Sequence, residues 1–294
     1  MNIVVTGATG FVGRHLLPKL SAEGHAITIV GRRPVEGLRF VEWQSPGALP
    51  PSVFDHSDAM IHLAGETVAQ RWTADAKRRI RASRVDGTRS IVNAMQQART
   101  KPAVLISASA VGIYGDAGDE ILTESSPRGA GFLAGVTAGW EEAARAAGSF
   151  VPRVVLLRFG VVLGRDGGAF PRLATPFRLG AAGTLASGRQ WMPWVHIDDA
   201  VAMLLFALHG FVNGPLNVTA PQPVTNAEFT RLLATALHRP ALITVPAFAL
   251  KLVLGEMSEA VLASVRAIPA AAQRAGFRFS YSDAASALTA LTGQ

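Results

Sequence analysis

The strongest constraint on this chain lies at its start. An apolar, β-branched run, Met1 to Val5, passes directly into Thr6-Gly7-Ala8-Thr9-Gly10-Phe11-Val12-Gly13. A strand, a glycine-rich turn and the opening of a helix follow one another without a spacer. Gly7 takes the backbone angles of a tight turn, Gly10 leaves room for a pyrophosphate, and Gly13 lets the helix pack closely on the strand. The free N–H groups and the positive dipole end of that helix then face phosphate oxygens. Thr9, Phe11 and Val12 share this turn and helix start, so they count with the glycines as dinucleotide contacts. The spacing is G-x-x-G-x-x-G, and its position after an N-terminal strand makes it specific.

Composition narrows the class. The chain has 294 residues, 49% hydrophobic and 17% charged, which describes a globular α/β protein able to bury a full core. No apolar run is long enough to cross a bilayer, and no signal peptide is evident, so a cytoplasmic location with no membrane partner is expected. There is no cysteine, which excludes thiol catalysis, disulfides and thiolate metal sites, and no metal site is expected. Net charge is +7, but the cations are dispersed and lack interleaved aromatics, so no nucleic-acid partner is expected.

The second strand, His25 to Val30, ends in Gly31-Arg32-Arg33-Pro34. An acid at this place would hold a ribose 2′-hydroxyl. Two guanidinium groups and no acid suit a 2′-phosphate instead, so NADP(H) is favoured over NAD(H). A buried strand runs from Asp58 to Gly65, and the small residues at its end, with Leu63, Ala64 and Gly65, let backbone approach a cofactor ribose. Asp58 is placed with this cofactor set, His62 is read as a core histidine, and Glu66 and Arg71 open a loop that reaches back over the cofactor. Thr73 to Ala98 reads as a long helix with Thr73 as N-cap. Pro102 to Ser107 is the next strand, and Ser109 and Tyr114 follow its carboxyl end, where open α/β sheets hold ligands. Phe132 to Ala147 is helical, and Arg153 to Phe159 is a further strand. Ser107, Arg158 and Gly160 are assigned to the cofactor side of these strand ends. Asp198 and Asp199 read as helix-initiating residues.

Several motifs occur in a telling order: Thr6 to Gly13, Leu63-Ala64-Gly65, Ser107-Ala108-Ser109 with Tyr114-Gly115, and Trp194-Val195-His196-Ile197-Asp198-Asp199. In these the chain resembles the extended short-chain dehydrogenase/reductase superfamily. More narrowly, it resembles the atypical "epimerase family protein" branch, which ends in a domain of unknown function. The resemblance covers nearly the whole chain. It implies a Rossmann-type, doubly wound α/β fold with a parallel seven-stranded sheet, NADP(H), and a smaller, mainly helical C-terminal substrate lobe. Residues 1–165, completed by about 191–213, are expected to form the cofactor domain, and 166–190 with 214–294 the lobe. A homodimer through the two long helices is also an implication.

One departure bears on the chemistry. The superfamily uses a Tyr-x-x-x-Lys pair, with Tyr as acid/base. Here the two frames give Leu133 with Thr137, or Ala134 with Ala138. The chain has only two tyrosines, Tyr114 and Tyr281, and neither has Lys four residues on. Ser109 best matches the substrate-polarising serine, Tyr114 is the substitute proton donor, and Arg84, near the position of a supporting asparagine, is the cation at hand. Two readings follow. One is an NADP(H)-dependent oxidoreductase or epimerase acting on a small hydroxyl or carbonyl compound, a nucleotide sugar among them. The other is a non-catalytic NADP(H)-binding protein that senses redox state or binds a partner.

Overall fold

A computed structural model describes residues 1–293. Its centre is a seven-stranded parallel sheet. The strands are β1 (Asn2–Thr6), β2 (Ala26–Gly31), β3 (Arg39–Glu42), β4 (Ala59–His62), β5 (Val104–Ala110), β6 (Arg153–Phe159) and β7 (Gly214–Val218). Their spatial order is β7-β6-β5-β4-β1-β2-β3. The order reverses between β1 and β4, so this Rossmann-type sheet has its ligand crevice at the carboxyl ends there.

Alternation along the strands sorts the core into two layers. Ile3 and Val5 of β1 pack with Leu16 and Leu20 of helix α1 (Phe11–Ala22) on one face. Val4 packs on the other face with Ile91 and Met95 of α2 (Ala74–Gln97) and with Ala144 of α3 (Phe132–Arg145). Both faces are covered by helices, so the central strands β1, β4 and β5 are buried on successive residues, as parallel strands require. Thr73 caps α2, its Oγ1 accepting from the Ala76 N–H at 3.1 Å. Its role agrees with the sequence reading.

One segment expected in the lobe belongs to the main sheet. Gly214–Val218 is not part of the lobe but the edge strand of the main sheet, in parallel register with Arg153–Phe159. Its few apolar residues, flanked by Gly214-Pro215, read locally as an isolated short strand. Only pairing with β6 makes it the seventh. A separate core gathers α4 (Phe170–Arg178), Trp194, α6 (Asn226–Leu237) and the helix Ala284–Thr292. Trp194 is fully buried there, so it packs the lobe rather than lining an open pocket. Between the cores, α5 (Ile197–His209) starts at His196, and the buried Asp199 carboxylate accepts from the N–H groups of Ser280 and Tyr281 at 2.8 and 2.9 Å. Asp199 therefore both starts a helix and ties down the C-terminal segment. Among the described residues, no helix is long and apolar enough to cross a membrane.

The glycine turn is locked by backbone. A Cβ on Gly13 would lie 2.6 Å from the Ala8 carbonyl oxygen and closer still to that of Gly7. Backbone cannot swing aside as a side chain can. Gly13→Ala is expected to cost about 3 kcal/mol, the upper end for overpacking, read as a lower urea midpoint with an unchanged slope.

Candidate active site

The turn after β1 is built to receive a diphosphate. Gly7 has φ +70°, and a Cβ on it would sit 2.6 Å from the Leu63 oxygen and 2.7 Å from the Ala64 nitrogen. The turn thus rests directly on the chain leaving β4. Gly10 is exposed and is the N-cap of α1, with no side chain capping the helix and no acid in its first turn. Its N–H turns inward to the Gly7 carbonyl at 2.9 Å. The first-turn N–H groups are left open to solvent-side oxyanions. Thr9 is exposed at the mouth, while Phe11 and Val12 are half-buried behind it. The Phe11 ring fills the space beside Gly164, Gly167 and Gly168, so it braces the turn. At the end of β2, Gly31 pairs with Glu42, and Arg32 and Arg33 are both exposed without an ion-pair partner among the described residues. These residues fit a 2′-phosphorylated dinucleotide.

Other predicted residues are distributed differently. Leu63, Ala64 and Gly65 follow β4 at the crevice, with Gly65 exposed. Glu66 lies in the next turn, held by its N–H to Ser83 Oγ at 3.0 Å. Arg71 is farther along, beside Gly255, and lines a cleft of about 290 Å³ with Arg172, Val253, Leu254 and Met257. Asp58 is not brought to the site. It precedes β4, and its carboxylate accepts from the Asn2 N–H at 2.6 Å, at the amino end of the sheet opposite the glycine turn. Ser107 is fully buried within β5, its hydroxyl on the Ala108 carbonyl at 3.1 Å. Gly160 is packed on Pro193, so its lack of a side chain serves chain packing. His62 is a core residue as expected, flanked by Thr6 Oγ1 at 2.7 Å and Thr88 Oγ1 at 3.0 Å. Burial first, then the nearby Arg84 charge, holds its pKa down to about 3, so it is neutral.

Ser109 and Tyr114 do converge, but on a buried polar frame. Ser109 Oγ donates to Glu141 Oε1 at 2.6 Å. Arg158 clamps the same carboxylate through Nε at 2.7 Å and a second guanidinium nitrogen at 2.9 Å. Its remaining nitrogen donates to the Tyr114 hydroxyl at 2.9 Å and to the Glu124 carbonyl at 3.1 Å. The Tyr114 proton faces Asn217 Oδ1 at 2.7 Å and the Thr123 carbonyl at 2.9 Å. Glu124 completes the frame, its carboxylate taking the N–H groups of Asn217 and Ala271, both at 3.0 Å. Tyr114 is 2% exposed and Ser109 3%. Burial raises the Tyr114 pKa despite Arg158 beside it. Burial also pushes Glu141 upward, but hydrogen bonds from Arg158 and Ser109 and the charges of Arg158 and Arg145 outweigh it and hold Glu141 below the usual carboxylate range.

Arg158 is therefore a strut rather than a cofactor contact, and the frame joins β5, α3, β6 and β7. Sequence reasoning missed Glu141, Glu124 and Asn217 as a unit, because their partners lie far along the chain. The available signal was a Glu inside the apolar face of α3, which a buried position tolerates only when paired. Of the residues in the two possible tyrosine and lysine frames, Leu133 packs against Gly112 in the turn after β5, and Ala134 and Thr137 are buried.

Comparison with known proteins agrees with this geometry. Residues 3–218 match the NAD dependent epimerase/dehydratase family, and residues 245–291 match a domain of unknown function, DUF1731. The chain belongs to the NAD dependent epimerase/dehydratase family. It is 40% identical to epimerase family protein YfhF of Bacillus subtilis, over 99% of this chain and 98% of that one. It is 37% identical to epimerase family protein SDR39U1 of Bos taurus, over 98% of both chains. Among solved structures, it superposes on human epimerase family protein SDR39U1 with NADPH at a TM-score of 0.89 and 33% identity, covering 99% of each chain. UDP-glucose 4-epimerase of Thermus thermophilus with NAD, at 17% identity, TM-score 0.78 and coverage of 99% and 98%, shares the fold.

Removing one member of the Glu141–Arg158 pair leaves the other charge buried. Glu141→Gln is expected to cost about 3–5 kcal/mol at neutral pH. Because the folded pKa of Glu141 is depressed, its ionised form stabilises above the usual carboxylate range, and that contribution is lost as pH falls through the folded value. The gap between wild type and variant should shrink on acidification, followed by urea unfolding at stepped pH.

Proposed function

We propose that this protein is a cytoplasmic, NADP(H)-dependent oxidoreductase or epimerase acting on a small hydroxyl or carbonyl compound. The observation that carries the cofactor is the pairing of an uncapped, acid-free α1 N-terminus with Arg32 and Arg33 at the end of β2. A 2′-phosphate there gains forked, charge-assisted hydrogen bonds, whereas a bare ribose gains none. The related human protein solved with NADPH supports the same choice. The nicotinamide would supply hydride transfer. The chain's part is to bind the diphosphate on the N–H groups of Phe11 and Val12, to orient the ribose along Leu63-Ala64-Gly65, and to keep the β5 end rigid.

Within this reading, Ser109 and Tyr114 act by holding the β5 end on Glu141 and Arg158. With Tyr114 bonded on three sides and its pKa raised, it makes a poor proton donor at neutral pH. Proton exchange then falls to the substrate or to water. The same observation, with Leu133 at the turn, favours the second reading of a cofactor-binding protein without turnover. Consumption of NADPH with a panel of small carbonyl compounds, together with stereochemical inversion of hydroxyl compounds, which leaves the cofactor unchanged overall, separates the two. Tight binding with no turnover across the panel selects the redox-sensing protein.

Replacing Arg32 by Glu is expected to weaken NADPH by at least tenfold and NADH by less than about threefold, since one lost or reversed charge contact is about 1.4 kcal/mol or more. Fluorescence titration of both cofactors measures this. Equal losses would remove the 2′-phosphate from Arg32.

A further inference from the structure

Strand order sets out how a dinucleotide lies on this sheet. Arg32 ends β2, the glycine turn leaves β1, and β4 and β5 follow on the other side. On the reading just given, the 2′-phosphate sits by β2 and the diphosphate by β1. The nicotinamide end, with whatever reacts there, comes over the ends of β4 and β5.

Arg84 of α2 stands at that place. Its guanidinium lies against Gly65, where a Cβ would meet it at 3.4 Å, and over the Trp140 ring of α3 at 5.2 Å from the centroid. Among the described residues one protein acceptor reaches it, the Ile80 carbonyl at 3.3 Å from Nη1. Among the described residues no carboxylate lies within 4.0 Å of it. Glu66, the acid whose charge reaches it, is itself bonded by Gln70 at 3.2 Å. His62 is neutral. Burial lowers the Arg84 pKa to about 10, with Glu66 only partly opposing. Half-buried, stacked on Trp140 and bonded to a single carbonyl, the guanidinium keeps N–H donors free for an incoming oxyanion. The cofactor's diphosphate already has the α1 N-terminus. A second feature points the same way. The loop beginning at Gly65 leads to Arg71, which with Arg172 gives the cleft it lines two cations and no acid.

We infer that Arg84 is an oxyanion receptor for the second ligand, and that this ligand carries a carboxylate or phosphate group next to the carbon that exchanges hydride. The inference rests on the NADP(H) reading. It narrows the substrate class to anionic hydroxyl or carbonyl compounds, and it places the anion beside the nicotinamide.

The test uses the full chain saturated with NADPH, titrated with inorganic phosphate and with oxalate at ionic strength held constant by chloride, reading NADPH fluorescence. Wild type should give a saturable response. Arg84→Gln should weaken it at least tenfold, and Arg84→Lys by less, because the charge stays while the fork is lost. Affinity for 2′-phospho-ADP-ribose, which has the diphosphate but no nicotinamide, should stay within about twofold in both variants, which also reports that they are folded. A tenfold loss of 2′-phospho-ADP-ribose in a folded Arg84→Gln protein would assign Arg84 to the cofactor's own diphosphate and overturn the proposal. So would an anion response that survives Arg84→Gln, or its absence in wild type. Failure of wild type to bind NADPH at all would instead overturn the cofactor reading itself.

Discussion

Everything at the crevice depends on backbone meeting backbone at Gly7. The turn after β1 touches the Leu63–Ala64 peptide so closely that no side chain fits between them. Gly13 brings α1 equally close to the same turn. These two contacts aim the open N–H groups of α1 at the switch point of the sheet and draw the chain leaving β4 alongside. Such an anion site is pre-organised, because its donors are backbone groups fixed by the fold rather than side chains that must be ordered on binding.

The second organising interaction is the Glu141–Arg158 pair. It is fully desolvated and bidentate, and each remaining polar atom is used: Ser109 and Arg145 on the carboxylate, Tyr114 and the Glu124 carbonyl on the guanidinium. Buried charge of this kind adds little net stability, but it allows one arrangement only. It holds the carboxyl ends of β5, β6 and β7 in register beneath the place where substrate would lie. Ser109 and Tyr114 are thus consumed as structure, while Arg84 is half-buried without a carboxylate within 4.0 Å among the described residues, and Arg71 and Arg172 are exposed.

Local pattern made much of the fold legible. The β-branched run of β1, the glycine spacing, the Thr73 cap and the amphipathic α2 and α3 each announce themselves within a few residues. Gly214–Val218 did not, since its membership of the main sheet is a matter of pairing with a strand about sixty residues earlier. The site was legible in proportion to how local its parts are. The diphosphate turn and Arg32 lie within one β-α-β unit. Asp58, placed with the cofactor set from sequence, instead precedes β4 at the amino edge of the sheet, where it holds the Asn2 N–H.

By itself, then, the sequence determined the strand–glycine turn–helix unit and the arginines that follow the second strand. Its contacts are backbone geometry and nearby charges, and glycine spacing encodes both. Tertiary structure alone decided what Ser109 and Tyr114 do, since their partners, Glu141, Arg158 and Asn217, come from three other elements. It also decided that Arg84 lies half-buried between Gly65 and the Trp140 ring, with no carboxylate within 4.0 Å among the described residues. Burial and pairing are properties of how distant segments meet, and no window along the chain contains them.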